Sequence, residues 1–315
     1  MPHTYDLLVI GDANPDVVLG PLDGPLEFGQ REQLVATGLL TLGGSAAIMA
    51  CGAARLGLRV ALAGRIGDDG TGRYVRSALE ERGVDTSALR LDPELATPLT
   101  TVLTRGDDRA ILTAPGTLAA TGPDDVPKEL LRDSRHVHAA SYFLMPALAA
   151  ALPELFRTAR EHGARTSLDT NDDPAGRWDP AGMAEVLAVT DILLPNAREA
   201  CALAGTAAPE AAAAALAARG PLVVVKNGAD GALAHDGTAL LRTPAVPVLP
   251  VDTVGAGDSF DAGFVAATLA GLPTAAALEL AAACGALSTR AHGGTPAQPT
   301  WDEAAAATTS YQENQ

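Results

Sequence analysis

The chain has 315 residues, 47% hydrophobic and 19% charged, enough apolar material for a large core in one big α/β domain or about two smaller ones. Lys and Arg total 22 against 38 Asp and Glu, a formal charge of -16, and so acidic a surface speaks against nucleic acid and anionic membranes as partners. Cys51, Cys201 and Cys284 are an odd, widely spaced set with no CxxC pair, which supports neither a disulfide framework nor a zinc site.

The N-terminus lacks a basic region followed by an apolar core, so no signal peptide is expected. The apolar stretch 275–287 is interrupted by Glu279 and is too short to span a bilayer. A cytoplasmic protein is the expectation. In chain order, continuous apolar runs at 5–11, 58–64, 136–141, 164–169, 191–194 and 221–226 read as strands covered on both faces. Helical spacing lies between them at 44–57, 70–83, 146–163, 196–204 and 209–219, and again at 259–270 and 274–290. Strand and helix alternate, which predicts a mainly parallel, doubly wound sheet in a three-layer α/β/α core.

Two segments break this rhythm. Residues 16–42 hold short β-like pieces with Gly and Pro. Residues 97–113 read as a hairpin, with 99–104 and 110–113 flanking the turn Gly106-Asp107-Asp108. Together they suggest a small β lid over a site, or else an extra edge of the main sheet. One domain is expected over 1–304, with the lid inserted and a frayed tail at 305–315.

The most informative stretch runs Asp252-Thr253-Val254-Gly255-Ala256-Gly257-Asp258-Ser259-Phe260. Gly255, Ala256 and Gly257 bare the backbone, so that amides at a helix start can meet a phosphate. A carboxylate there repels phosphate. Asp258 makes sense if it faces a second substrate and accepts a proton while a phosphoryl group is transferred. The alternative is an Asp N-cap on an ordinary helix.

Here the chain resembles the ribokinase-like (PfkB-type) carbohydrate kinases. The resemblance runs from about Tyr5 to Pro299, through Gly43-Gly44, the block 64–72, Asn196-x-x-Glu199, Lys226-Asn227-Gly228-Ala229-Asp230-Gly231, and the 252–260 stretch. It implies transfer of the γ-phosphoryl group of ATP to a hydroxyl of a sugar or related molecule. Asp258 would then be the base, and Gly255, Ala256 and Gly257 the anion hole. ATP would meet Asn196, Lys226, Gly228, Gly231, Thr253 and Gly257. Mg2+ would be placed through water by Glu199 and Asn196, although the same spacing also makes a capping box. A monovalent cation, K+, would sit on Asp252 and the Val254 carbonyl beside the loop 290–294. Lids of that family often pair across a homodimer.

On the acceptor side the resemblance implies Asn14, Asp16, Gly43, Gly44, Arg109, Asp169 and Asn171. Asn14-Pro15-Asp16 also reads as a surface turn. Tyr142 and Phe143 could wall the acceptor or be core. The chain departs from the family at Ile48, which stands where Asn commonly bonds a sugar hydroxyl. It departs again at Asp173, which stands where Arg is usual and would disfavour an anionic acceptor. The reading is an ATP-dependent kinase of a neutral sugar or polyol. Alternatives are a nucleoside kinase, for which 3% aromatic residues leave little stacking material, and a catalytically silent sugar-binding homologue.

Overall fold

The computed structural model describes residues 3–106, 108–179 and 182–312. Its strands are β1 (Tyr5–Ile10), β2 (Asn14–Gly20), β3 (Thr37–Gly43), β4 (Val60–Gly67), β5 (Val84–Asp85), β6 (Leu89–Asp92), β7 (Leu99–Arg105), β8 (Asp108–Ala114), β9 (Ser134–Ala139), β10 (Arg165–Leu168), β11 (Ile192–Leu193), β12 (Leu222–Lys226), β13 (Ala232–His235) and β14 (Leu240–Thr243). Its α-helices are α1 (Ser45–Arg55), α2 (Gly70–Glu80), α3 (Lys128–Arg132), α4 (Pro146–Glu161), α5 (Ala184–Leu187), α6 (Ala197–Ala204), α7 (Pro209–Ala217), α8 (Ala256–Leu269), α9 (Thr274–Ser288) and α10 (Trp301–Gln312).

The main sheet has ten strands in the order β14-β13-β12-β11-β10-β9-β1-β4-β5, with β6 on β4. Every pairing from β12 through β5 is parallel, while β12–β13 and β13–β14 are antiparallel. Alternate residues of each central strand feed two cores. Leu7 and Val9 face a layer of α1, α2, α8, α9 and α10; Leu8 and Ile10 face α3 to α7. Burial on both faces is why these strands read as unbroken apolar runs.

The two irregular segments form a separate four-stranded sheet, β3-β2-β7-β8, and not an edge of the main one. Asn14-Pro15-Asp16 is the start of β2, buried, and not a surface turn. The hairpin is longer than its sequence suggests, β7 and β8 reaching Arg105 and Asp108; Asp107 of its turn lies outside the described residues. The chain continues as helix beyond residue 304, to Gln312; residues 313–315 of the expected tail lie outside the described residues. Ala304 is fully buried and Ala305 and Ala307 pack on the core, so α10 holds where fraying was expected. Among the described residues no single helix is long and apolar enough to cross a membrane.

Candidate active site

Connections leave β1 toward β4 and leave β9 toward β10, so the strand order reverses between β1 and β9. A crevice forms outside the carboxyl ends at such a switch point. The residues that follow β1, β9, β10, β11 and β12 meet there, joined by the first turn of α8.

On the β1 side, Asp12 accepts from the Ser45 and Ala46 amides at 3.1 and 3.0 Å, fixing the start of α1. Asn14 Nδ2 donates to Asp16 Oδ1 at 2.9 Å. Burial, with the negative Asp12 nearby, pushes the Asp16 carboxyl up to about 7 despite that bond. Gly43 is required here by close approach, since a methyl group on it would lie 2.0 Å from Asp16 Oδ1. Its neighbour Gly44 turns the chain into α1 at a φ of 86°.

Gly255 holds the left-handed conformation, φ 72°, as the cap of α8, which sets Ala256, Gly257 and Asp258 as its first three residues. Amides of a first turn lack partners within their helix and carry the positive end of its dipole. Ala256 spends its N–H on the Thr253 carbonyl at a long 3.3 Å, so Gly257 and Asp258 are the stronger members of the nest. Asp258 is not an N-cap: it lies inside the first turn, half-buried, and accepts from Ser45 Oγ. Burial is the main force raising its carboxyl to about 7; Asp169 and Asp12 add to the rise, while Ser45 and Lys226 oppose it. Asn171 Nδ2 donates to Ser45 Oγ at 2.9 Å and the Ser141 amide donates to Asn171 Oδ1 at 2.7 Å.

Lys226 and Asp169 differ from the sequence reading. The Lys226 ammonium turns inward and bonds Asp169 at 2.6 Å and both oxygens of Asp261 at 3.0 and 3.1 Å. It is spent on buried carboxylates directly behind Gly257, so neither it nor Asp169 is free for a bound substrate. Burial pushes Asp169 up, and Lys226, with hydrogen bonds from Asp261 and the Asn171 amide, more than offsets this; burial, with the Asp169 charge adding to it, raises Asp261. Asp169, Asp258 and Asp261 offer oxygens within 4.8 Å of one another, but the lysine already supplies the cation between them.

Asn196 and Glu199 form a complete capping box on α6, and both Glu199 oxygens accept from Asn196. Burial and the Asp169 charge raise Glu199 to about 7. Asp252 accepts from the amides of Val254 at 3.0 Å and Gly293 at 2.9 Å, stapling its loop to 290–294. Arg109 of the lid donates to Thr253 Oγ1 at 3.3 Å, so the lid touches the nest's approach. Gly228 and Gly231 sit in the turn after β12, at the edge of the same crevice.

Ile48 does not line the crevice. It fills the space under Gly255 and Gly294, where a methyl group on either would meet it at 2.9 and 2.6 Å. Asp173 accepts from the amides of Ala175, Arg177 and Trp178 at 2.8–2.9 Å; against the effect of burial, these bonds hold its carboxyl below the ordinary value, so it keeps its negative charge. Tyr142 and Phe143, half-buried, line a cavity of about 290 Å³ with Asp173 and Arg177. Four residues of the site escaped the sequence reading: Asp12, Ser45, Ser141 and Asp261. Asp12 was the findable one, as a carboxylate following the first strand beside Asn14.

A half-buried carboxylate beside a helix-terminal amide nest, at the switch point of an α/β sheet, suits a phosphotransferase acting on an alcohol. Residues 5–301 match the pfkB family of carbohydrate kinases. The chain is 37% identical over 265 residues to the ATP-dependent ribose-1-phosphate kinase of Halopiger xanaduensis, covering 84% of this chain and 85% of that one. It is 32% identical to a fructokinase of Klebsiella pneumoniae, covering 83% and 90%. Arabidopsis thaliana ribokinase, solved with ribose and ATP, superposes with a TM-score of 0.83 at 25% identity, covering 98% and 99%. The E. coli ribokinase-II-type protein solved with ATP and Mg2+ gives 0.85 at 25%, covering 97% and 99%. The chain therefore belongs to the pfkB family of carbohydrate kinases, and it is an ATP-dependent sugar kinase.

Proposed function

We propose that Asp258 takes the proton from a sugar hydroxyl while the amides of Gly257 and Asp258 stabilise the charge developing on the transferred phosphoryl group. The observation that carries this is the half-buried Asp258 carboxylate in the same helical turn as the nest. Phosphoryl transfer asks a protein mainly for positioning and charge stabilisation, and a preorganised nest supplies both without reorganisation. Asn14 and Asp16 hold the acceptor's other hydroxyls, one donating and both accepting. ATP lies along Thr253, Gly228 and Gly231. Glu199 and Asn196 suit Mg2+ only through its waters, because each Glu199 oxygen already accepts a hydrogen bond; the ion would neutralise phosphate charge. Asp252 and the Val254 carbonyl suit a monovalent cation beside the nest.

The acceptor we favour is a ribose-based sugar, free or substituted at C1. The relatives at 37% and 33% identity are a ribose-1-phosphate kinase and an aminoimidazole riboside kinase. ATP consumption with ribose, ribose-1-phosphate, fructose, 2-dehydro-3-deoxygluconate and nucleosides tests this, run in potassium, sodium and choline buffers. Turnover fastest with a riboside and dependent on potassium is expected. Preference for fructose or the sugar acid contradicts the acceptor; equal rates in all three buffers contradict the cation.

On one face of the lid, Leu40 and Leu112 stand in line across the sheet through Val17 and Thr101 and are 53% and 55% exposed, apolar surface of the kind that marks an interaction site. We propose a homodimer through this face. Light scattering should give twice the chain mass, falling to the monomer in Leu112→Lys; a wild-type monomer contradicts it.

A further inference from the structure

We propose that Ser45, oriented by Asn171 and Ser141, is a positioning residue that occupies Asp258 Oδ1 and leaves the other oxygen to take the acceptor's proton. The proposal rests on Asp258 being the base. Its argument is the direction of one hydrogen-bond chain. A main-chain amide can only donate, so the Ser141 N–H, 2.7 Å from Asn171 Oδ1, fixes that atom as the carboxamide oxygen. Asn171 Nδ2 is then the donor to Ser45 Oγ at 2.9 Å. Ser45 therefore accepts from Asn171 and turns its own proton to Asp258 Oδ1. With Asp258 ionised each link can run only one way, and the chain ends by giving Asp258 a hydrogen bond that its ionised form prefers.

The backbone shows that the chain is built and not incidental. Ser141 and Asn171 both hold the left-handed conformation, φ 57° and 55°, which non-glycine residues adopt at a cost and which clusters at functional sites. Asn171 is further fixed by its amide, 3.1 Å from Asp169 Oδ1, and Ser45 by its amide on Asp12. The ends of β1, β9 and β10 and the start of α1 thus converge on a single serine.

The groups facing Asp258 are Ser45 from α1, Asp12 after β1, Asp169 and Asn171 after β10, Lys226 at the end of β12, and Asp261 on its own helix. Burial and the carboxylates favour the protonated form. Ser45 and Lys226 oppose them, and Ser45 is the only one of these groups that touches Asp258. Without its hydrogen bond the base would hold its proton to higher pH.

Carboxyl carbon NMR titration of ligand-free protein, with Asp258 assigned through Asp258→Asn, reads this with no acceptor present. Ser45→Ala should raise the Asp258 midpoint by about one pH unit. Asn171→Asp should raise it further, because its carboxylate competes for the Ser45 proton and adds negative charge. Ser45→Thr, which keeps the hydroxyl, should stay within about 0.3 of wild type. The acid limb of kcat should move the same way. A Ser45→Ala midpoint equal to wild type, or Ser45→Thr moving as far as Ser45→Ala, overturns the proposal. Failure of the base assignment shows separately, as undiminished turnover in Asp258→Asn.

Discussion

Asp258→Asn is expected to lower kcat by about 10²–10⁴-fold, the usual worth of a positioned general base. The substitution removes the proton acceptor and little else. Asn Oδ1 still accepts from Ser45, the volume is unchanged, and the amides of Gly257 and Asp258 remain in the first turn of α8. Binding should therefore survive, with KM for ATP within about threefold of wild type, because the lost interaction is made only as the hydroxyl loses its proton. Steady-state kinetics with each substrate varied, alongside a thermal melt, separate the effect from misfolding. A variant that melts like wild type and turns over within about tenfold of it removes Asp258 from the role of base.

Lys226→Met is expected to destabilise the fold by about 3–5 kcal/mol, the cost of removing one partner from a buried ion pair. The lysine side chain is 10% exposed, and Asp169 and Asp261 are 3% and 1% exposed. Without the ammonium, the Asp169 carboxylate is buried with no cation, and its pKa in the folded variant rises above the unfolded value. A carboxyl with a raised folded pKa weakens the fold at high pH and stops doing so once protonated. The deficit should thus be largest near neutral pH and shrink as pH falls through the range between the raised folded value and the ordinary carboxylate range. Denaturant unfolding at several pH values checks both. A deficit that is small, or equal at every pH, would show that the triad is not a tightly coupled buried cluster.

Much of the fold was legible because its central strands are buried on both faces and so read as bare apolar runs. The nest and its Asp were legible because they are consecutive in sequence. The triad was not: Lys226 meets partners 57 and 35 residues away, and nothing local distinguishes a lysine that faces a nucleotide from one turned inward. Ser45 was hidden for a similar reason. A serine opening a helix is ordinary, and its importance depends on Asn171 and Asp258, which the sheet brings from 126 and 213 residues away. Asp173 was legible as a charge, but the three amides that fix its side chain were not. The β13–β14 hairpin was missed because its short strands lack the apolar runs that mark the parallel ones. α10 was missed because the sequence does not show that Ala304 would dock on the core.

The dependence of kcat on pH tests the account most directly, measured with saturating ATP and acceptor from about pH 5 to about pH 9. Asp258 works as a carboxylate, so kcat should climb about tenfold per unit on the acid side and level off above the Asp258 midpoint of the substrate-bound enzyme, which starts from about 7 in the ligand-free protein. That limb should vanish from the residual rate of Asp258→Asn. A kcat that is flat through the acid range, or a limb that persists unchanged in Asp258→Asn, would contradict it.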